Sequence, residues 1–152
     1  MASPADALVV DASVAVKWHL KDEEYAAEST LLLTRFAQGQ VELFAPSHLN
    51  YEVASAISVA TLRQPPRLSQ TEGREALEEL VSLGLRTVDD PTLTLEAYDL
   101  VHQHGIALYD ALYLALSLRL QIPLLNADSK LQQRVGHLAN VVWIGDYQEP
   151  EP

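Results

Sequence analysis

The sequence predicts an α/β protein, a three-layer α/β/α sandwich with a mostly parallel central sheet. Short apolar runs alternate with helical patterns along the chain, and this alternation is typical of parallel strands covered by helices. The length of 152 residues fits one domain. We place that domain at residues 1–147 and expect a disordered tail at residues 148–152, where the sequence ends in EPEP.

The first half of the chain is expected to contain two strands and three helices, each recognised by the spacing of its apolar residues. In order, these are a strand at 7–10, a polar-faced helix with Ala26, Ala27, Thr30, Leu31 and Thr34 at helical spacing, a strand at 41–45, a helix with an apolar stripe of Leu49, Val53, Ala56, Ile57 and Ala60, and a helix at 69–83 with Leu77, Leu80 and Val81 inward.

The second half is expected to contain three strands and three helices. In order, these are a short strand at 86–88, a helix opened by Asp90 and Pro91 and running to about His104, a helix after Asp110 that is apolar on nearly every face, a strand at 123–126, a helix at 128–135 and a strand at 141–144.

Composition excludes several classes of protein. There is no cysteine, which rules out disulfides, thiolate metal sites and cysteine nucleophiles. The 21 acids and 10 bases give a net charge of −11, which argues against a protein that coats nucleic acid generally. Acids that bind metal ions would raise this count without excluding a polyanionic substrate. No apolar run is long enough to span a membrane and no signal peptide is evident, so we expect a cytoplasmic protein.

Four acidic residues stand where a parallel α/β sheet would place a ligand site. Asp11 and Asp128 follow predicted strands, Asp110 opens the apolar helix, and Glu52 borders the apolar stripe of its helix. The carboxyl ends of parallel strands share one edge, so these side chains can converge there. Clustered carboxylates suit a hard cation such as Mg²⁺ or Mn²⁺.

Each acid also has a purely structural explanation. Asp110 and Asp128 suit helix N-caps, and Glu52 suits a solvent-exposed helix position. Asp11 is harder to explain this way, because an acid that ends a buried strand needs a partner. Six basic residues are placed by the sequence to flank such a site: Lys17, Lys21, Arg63, Arg67, Lys130 and Arg134.

The motifs VVDAS, PSHLNYEVASAI, YDALYLALS and LLNADSKL, taken in this order, resemble those of PIN-domain ribonucleases, and most of all the VapC toxins of bacterial toxin–antitoxin pairs. The resemblance extends from Leu8 to about Tyr147. It implies a PIN-like fold and an acidic pocket of Asp11, Glu52, Asp110 and Asp128 with Ser13 beside it. It also implies endonucleolytic hydrolysis of RNA with Mg²⁺ or Mn²⁺, and a cognate antitoxin that inhibits the enzyme.

One position departs from the family pattern. The residue two before Asp128 is commonly Thr or Ser in the family, and here it is Asn126. An amide would therefore replace a hydroxyl near the metal or the substrate. We also expect a homodimer, because the helices at 27–36 and 49–62 carry more apolar surface than one sheet covers, and members of the family commonly pair.

Two other functions remain open at this point. A phosphohydrolase with an aspartyl nucleophile, of the haloacid-dehalogenase kind, would use Asp11, but that chemistry typically has a second Asp where Ser13 stands. A non-catalytic interaction module could keep the acidic pocket only as a docking site.

Overall fold

A computed structural model describes residues 6–148, which form five strands and seven α-helices. The strands are β1 (Asp6–Val10), β2 (Val41–Pro46), β3 (Arg86–Val88), β4 (Leu124–Asn126) and β5 (Val141–Trp143). The helices are α1 (Ala12–Ala15), α2 (Ala26–Ala37), α3 (Leu49–Leu62), α4 (Gln70–Ser82), α5 (Leu93–His104), α6 (Leu108–Leu120) and α7 (Ser129–Val135). Of the predicted tail at 148–152, only Gln148 is described, and residues 149–152 lie outside the described part.

All five strands run parallel in one sheet, in agreement with the mostly parallel sheet that the sequence predicted, and their order is β3-β2-β1-β4-β5. The chain builds the sheet outward from β1 to β2 and β3, then crosses back to add β4 and β5 on the other side. Right-handed crossovers place the helices of these two wings on opposite faces, which makes the α/β/α sandwich. The strand order reverses between β1 and β4, and ligands bind at such a point in open α/β sheets.

The apolar core lies against both faces of the sheet, and α6 is its most buried helix. In α6, six of the seven positions from Ala111 to Ser117 are buried, and Leu112 is half-buried. The helix packs against β1, β2 and β4 as well as α5. This confirms the prediction from its apolar pattern and makes α6 a firm support for any side chain at its start.

The buried face of α4 differs from the prediction in one residue. Leu80 is buried and Leu77 is half-buried as expected, but Val81 is 77% exposed. Helix α4 packs mainly on α3 through Gly73, where a Cβ atom would lie 2.7 Å from Thr61 Cγ2. This close approach sets the rotation of α4, and the rotation turns Val81 toward solvent.

Helix α2 buries a different face from the one its spacing indicated. Ser29, Leu32 and Arg35 are buried, whereas Ala27, Thr30 and Thr34 are exposed. Two of these buried residues are polar and have partners. The Ser29 hydroxyl donates to the Val14 carbonyl at 2.8 Å, and Arg35 donates to the Tyr147 hydroxyl. An apolar-spacing argument cannot find a face whose burial depends on hydrogen bonds.

Candidate functional site

The four acidic residues meet at the carboxyl edge of the sheet, where the strand order reverses. Asp11 directly follows β1, Asp128 precedes α7 after β4, and Glu52 and Asp110 lie in the first turns of α3 and α6. Their charges act on one another. Asp110 and Glu52 raise the pKa of Asp11, and Asp128 and Glu52 raise that of Asp110. The structure therefore brings the four predicted residues within electrostatic reach, and the charge of Asp110 interacts with each of the other three.

Asp11 is the most deeply buried of the four acids, with only 4% of its surface exposed. Burial raises the pKa of this carboxyl from 3.8 to about 7, and the neighbouring Asp110 and Glu52 add to the effect. Two hydrogen bonds from Ser13 oppose it, one from the backbone N–H at 3.0 Å and one from the hydroxyl. Both bonds end on Oδ2, so Oδ1 is the oxygen left for a cation or a water.

Asp110 is half-buried and has a pKa raised from 3.8 to about 6. Burial is the largest cause, followed by the charges of Asp128 and Glu52. The sequence predicted that Asp110 opens the helix. In the structure α6 begins two residues earlier, at Leu108, so Asp110 lies inside the first turn. This position directs its carboxylate to the edge of the sheet and leaves N-capping to Ala107.

Glu52 lies next to two side chains that were not predicted from the sequence to belong to the site. The hydroxyl of buried Tyr113 donates to Oε1 of Glu52 at 2.8 Å. His48 Nε2 lies 3.0 Å from the same oxygen, but not in the direction that a hydrogen bond requires. The His48 ring also packs against Tyr109 and Tyr113, at centroid distances of 5.1 and 4.8 Å.

Helical spacing was the signal that could have found both residues. His48 stands four residues before Glu52, and Tyr113 stands three residues after Asp110, so each shares a helix face with a site acid.

Asp128 caps α7 and belongs to the acidic site at the same time. Its Oδ1 accepts hydrogen bonds from the backbone N–H groups of Lys130 at 2.9 Å and Leu131 at 3.3 Å. The cap uses one carboxylate oxygen, and the charge still acts on Asp110. The structural and functional explanations of this residue are therefore compatible.

Ser13 ties the ends of β1 and β4 together. Its hydroxyl donates to Asp11 and accepts from the Ala127 N–H at 2.9 Å. Asn126 is fully buried, and its amide donates to Gln132 Oε1 at 3.1 Å and to the Val142 carbonyl at 3.4 Å. The contacts of Asn126 thus join β4 to α7 and β5, and its Oδ1 has no partner among the described residues.

The donor chemistry of the site fits a hard divalent cation. It offers carboxylate oxygens, two of them on acids whose raised pKa values reflect burial and mutual repulsion. Within residues 6–148, no three Asp, Glu or His side chains are arranged closely enough to form a ready-made metal site. The acids therefore act on one another electrostatically but do not form a closed ligand shell.

Comparison with known proteins gives concordant results. Residues 8–138 match the model of the PIN domain family. Ribonuclease VapC12 of Mycobacterium tuberculosis is 34% identical over 134 residues, which are 88% of this chain and 96% of that protein. Ribonuclease VapC1 of the same organism is 37% identical over 93 residues, 60% of this chain and 67% of the relative.

Two crystal structures share the fold. PAE2754 from Pyrobaculum aerophilum superimposes with a TM-score of 0.66 at 18% identity, over 93% of this chain and 92% of that one. VapBC2 from Rickettsia felis, crystallised with a DNA fragment from its promoter, gives a TM-score of 0.58 at 15% identity, over 90% and 96% of the two chains. The predicted resemblance is confirmed: the chain belongs to the PIN domain family and is a VapC-like member of it.

Proposed function

We propose that the protein is a metal-dependent endoribonuclease and the toxin of a toxin–antitoxin pair. The observation that carries the proposal is the pair of acids with raised pKa values, Asp11 and Asp110, at the reversal point of a PIN-domain sheet. The names of the relatives, Ribonuclease VapC12 and Ribonuclease VapC1, support RNA as the substrate. An enzyme of this kind would act on RNA in the cytoplasm.

Asp11, Glu52, Asp110 and Asp128 would hold Mg²⁺ or Mn²⁺. When bound, such a cation lowers the pKa of a water and offsets charge that develops on a phosphoryl group. The protein side chains supply the positioning. Ser13 holds Oδ2 of Asp11 and leaves Oδ1 toward the site, and Tyr113 holds Glu52.

The proton of the attacking water also needs an acceptor. The ionised carboxylates around the cation would be the acceptors closest to this water. Cation binding and proton loss are coupled at such a site, because the carboxylates bind the cation in their ionised form.

The test is cleavage of end-labelled RNA by the wild type with Mg²⁺, with Mn²⁺ and with EDTA. Asp11→Asn keeps the shape of the side chain and removes its charge, so we expect cleavage to fall at least about 100-fold. Asp99→Asn, an exposed acid on α5, is the matched control and should cleave at the wild-type rate. Cleavage that is equal in EDTA and Mg²⁺, or unaffected by Asp11→Asn, would refute the proposed site.

The same assay separates the two competing functions. A phosphohydrolase with an aspartyl nucleophile would hydrolyse phosphate monoesters and leave the RNA chain intact. A non-catalytic module would do neither. Release of new internal ends from the RNA supports the nuclease alone.

We further propose an antitoxin that closes the site. A groove of about 530 Å³ runs between α3 and α4, lined in part by Ile57, Thr61, Gly73 and Leu77. An apolar helix could lie there, and a following Arg or Lys could reach the acids and compete with the cation. Affinity of the co-purified partner should therefore fall for Asp11→Asn/Asp110→Asn, and inhibition should weaken as Mg²⁺ rises. Unchanged affinity together with metal-independent inhibition would place the partner elsewhere.

A homodimer is the remaining part of the proposal. Exposed apolar side chains lie on α3 and on the α5–α6 pair, including Leu62 at 78%, Leu95 at 70% and Tyr98 at 60%. Surfaces of this kind commonly mediate association. Light scattering at high micromolar concentration should report twice the mass of the chain, and a monomer would contradict the prediction.

No helix of residues 6–148 is long and apolar enough to cross a membrane.

A further inference from the structure

A cleft of about 310 Å³ opens beside the acidic site, between the loop that precedes α6 and the face of α7. Gly105, Ile106 and Ala107 form one wall, and Lys130 and Arg134 stand on the other. Asp110 also lines this cleft, so the space is continuous with the acidic site. It is thus a cavity that joins a site acid to two basic side chains.

Lys130 and Arg134 are among the five lysine and arginine residues that have no acidic partner within residues 6–148. Other arginines form salt bridges with carboxylates: Arg35, Arg67, Arg74, Arg86 and Arg119. Lys130 and Arg134 are exposed and four residues apart on α7, which puts both on one face of the helix. Their charges are therefore free to meet a ligand in the cleft.

The backbone of Gly105 lies next to the Arg134 side chain. Gly105 has a φ of +66° and ends α5, and a Cβ atom there would lie 3.7 Å from a guanidinium nitrogen of Arg134. The guanidinium of Arg134 therefore lies close to Gly105, which has no side chain. Arginine in such a place presents several N–H donors in a plane, a geometry that suits phosphate oxygens.

Net charge gives a reason why this cleft should bind phosphate. The net charge is −11 and four of the acids lie at the site, so an RNA strand is repelled both at a distance and at the site. A bound cation offsets this repulsion only at the reacting phosphodiester. The phosphates on either side still need cationic groups close to the acids, and Lys130 and Arg134 are the free cations in a cavity shared with Asp110.

We propose that the Lys130–Arg134 cleft binds a backbone phosphate of single-stranded RNA next to the phosphodiester that is cleaved. The proposal rests on the proposed nuclease function and adds a subsite to it. Contact with a non-reacting phosphate contributes equally to substrate and transition-state binding, so it acts on KM and leaves kcat nearly unchanged.

The test uses the full chain and a fluorescein-labelled single-stranded RNA of mixed sequence. Binding is measured by anisotropy without Mg²⁺ or Mn²⁺ over a salt series, and cleavage is then measured with Mg²⁺. For the wild type and Lys130→Gln/Arg134→Gln, the slope of log K against log salt should differ by about 0.7, because the cleft contacts one phosphate and each lost phosphate contact removes about 0.7. The KM should rise roughly tenfold, a change of about 1.4 kcal/mol.

Two further variants make the comparison specific. Arg74→Gln/Arg86→Gln removes two exposed cations on α4 and β3, each paired with a surface carboxylate and outside the set that flanks the site, and it should keep the wild-type slope. Lys130→Arg/Arg134→Lys keeps both charges and should also keep the slope. A stability measurement on each variant shows that it is folded.

The outcomes separate this inference from the proposed function. Cleavage of RNA by the wild type, with the same slope and KM in Lys130→Gln/Arg134→Gln, would overturn the subsite and leave the nuclease standing. A charge-dependent slope without cleavage under any metal would support the phosphate site and refute the nuclease. An equal loss in both double variants would show a general effect of charge and overturn the subsite.

Discussion

Replacing Asp11 by Asn should stabilise the metal-free protein, and the gain should grow with pH. Asp11 is buried at 4% exposure, and burial raises its pKa from 3.8 to about 7. Each pKa unit corresponds to about 1.4 kcal/mol, so ionising this group in the folded protein costs about 4 kcal/mol. The asparagine cannot ionise, and its side-chain oxygen can still accept the two hydrogen bonds from Ser13.

The direction follows from proton binding. Between about pH 4 and pH 7 the folded state holds a proton on Asp11 that the unfolded state has already lost, so wild-type stability falls as pH rises through this window. About half of the total, roughly 2 kcal/mol, is lost between about pH 5.5 and pH 8. The difference between Asp11→Asn and the wild type should grow by this amount over the same range.

Urea unfolding in EDTA at these two pH values measures the effect, with Asp99→Asn as the exposed control. The control should show no growth with pH. A difference between Asp11→Asn and the wild type that stays constant would mean that Asp11 is ionised in the folded protein without penalty. The burial argument would then be wrong, and with it the reason that the site should attract a cation.

Three other changes test the site from different sides. Ser13→Ala removes the hydroxyl that joins Asp11 to the Ala127 N–H, and should cost about 1–3 kcal/mol of unfolding free energy because a polar group loses its partner. If the loss is no larger than for Ser55→Ala, at an exposed serine, the stabilising role of the Ser13 hydroxyl is contradicted. Tyr113→Phe removes the 2.8 Å bond to Glu52 and should slow RNA cleavage about tenfold, about 1.4 kcal/mol, with the protein still folded; an unchanged rate would show that Glu52 needs no support. Millimolar Mn²⁺ should raise the wild-type melting temperature, since a ligand at 100 times its Kd stabilises the folded state by about 2.7 kcal/mol. The rise should be smaller for Asp128→Asn. A wild-type melting curve that is identical with Mn²⁺ and with EDTA would count against a cation site.

The parts of the fold that sequence predicted best are those in which burial alone decides the structure. The strand ahead of Asp11 and the helix after Asp110 are apolar on every side, and an element of this kind must be covered on both faces. Once the strands are parallel, their carboxyl ends share an edge. The convergence of the acids follows from this topology, and no side-chain detail is needed to predict it.

The errors lie where a contact between two particular residues decides the outcome. Val81 has the spacing of an inward residue, but the approach of Gly73 to Thr61 turns it outward. Ser29 and Arg35 are polar, and only their partners in other elements make burial possible. The hydrogen bond from Tyr113 to Glu52 is a contact of the same kind, because it forms only after α3 and α6 have packed together.

The packing of α6 explains why an acid at its first turn can serve as the centre of the site. The helix contacts three strands of the sheet, and its buried positions leave little freedom to rotate or slide. Asp110 is carried at the one end that reaches the edge of the sheet, and Tyr113, one turn later, fixes Glu52 from α3. The same helix thus holds one acid directly and a second through a hydrogen bond. Mutual repulsion between these carboxylates tends to push them apart, and a rigid apolar helix resists that movement. The apolar core therefore stabilises a charged arrangement that would be unfavourable in the absence of a cation.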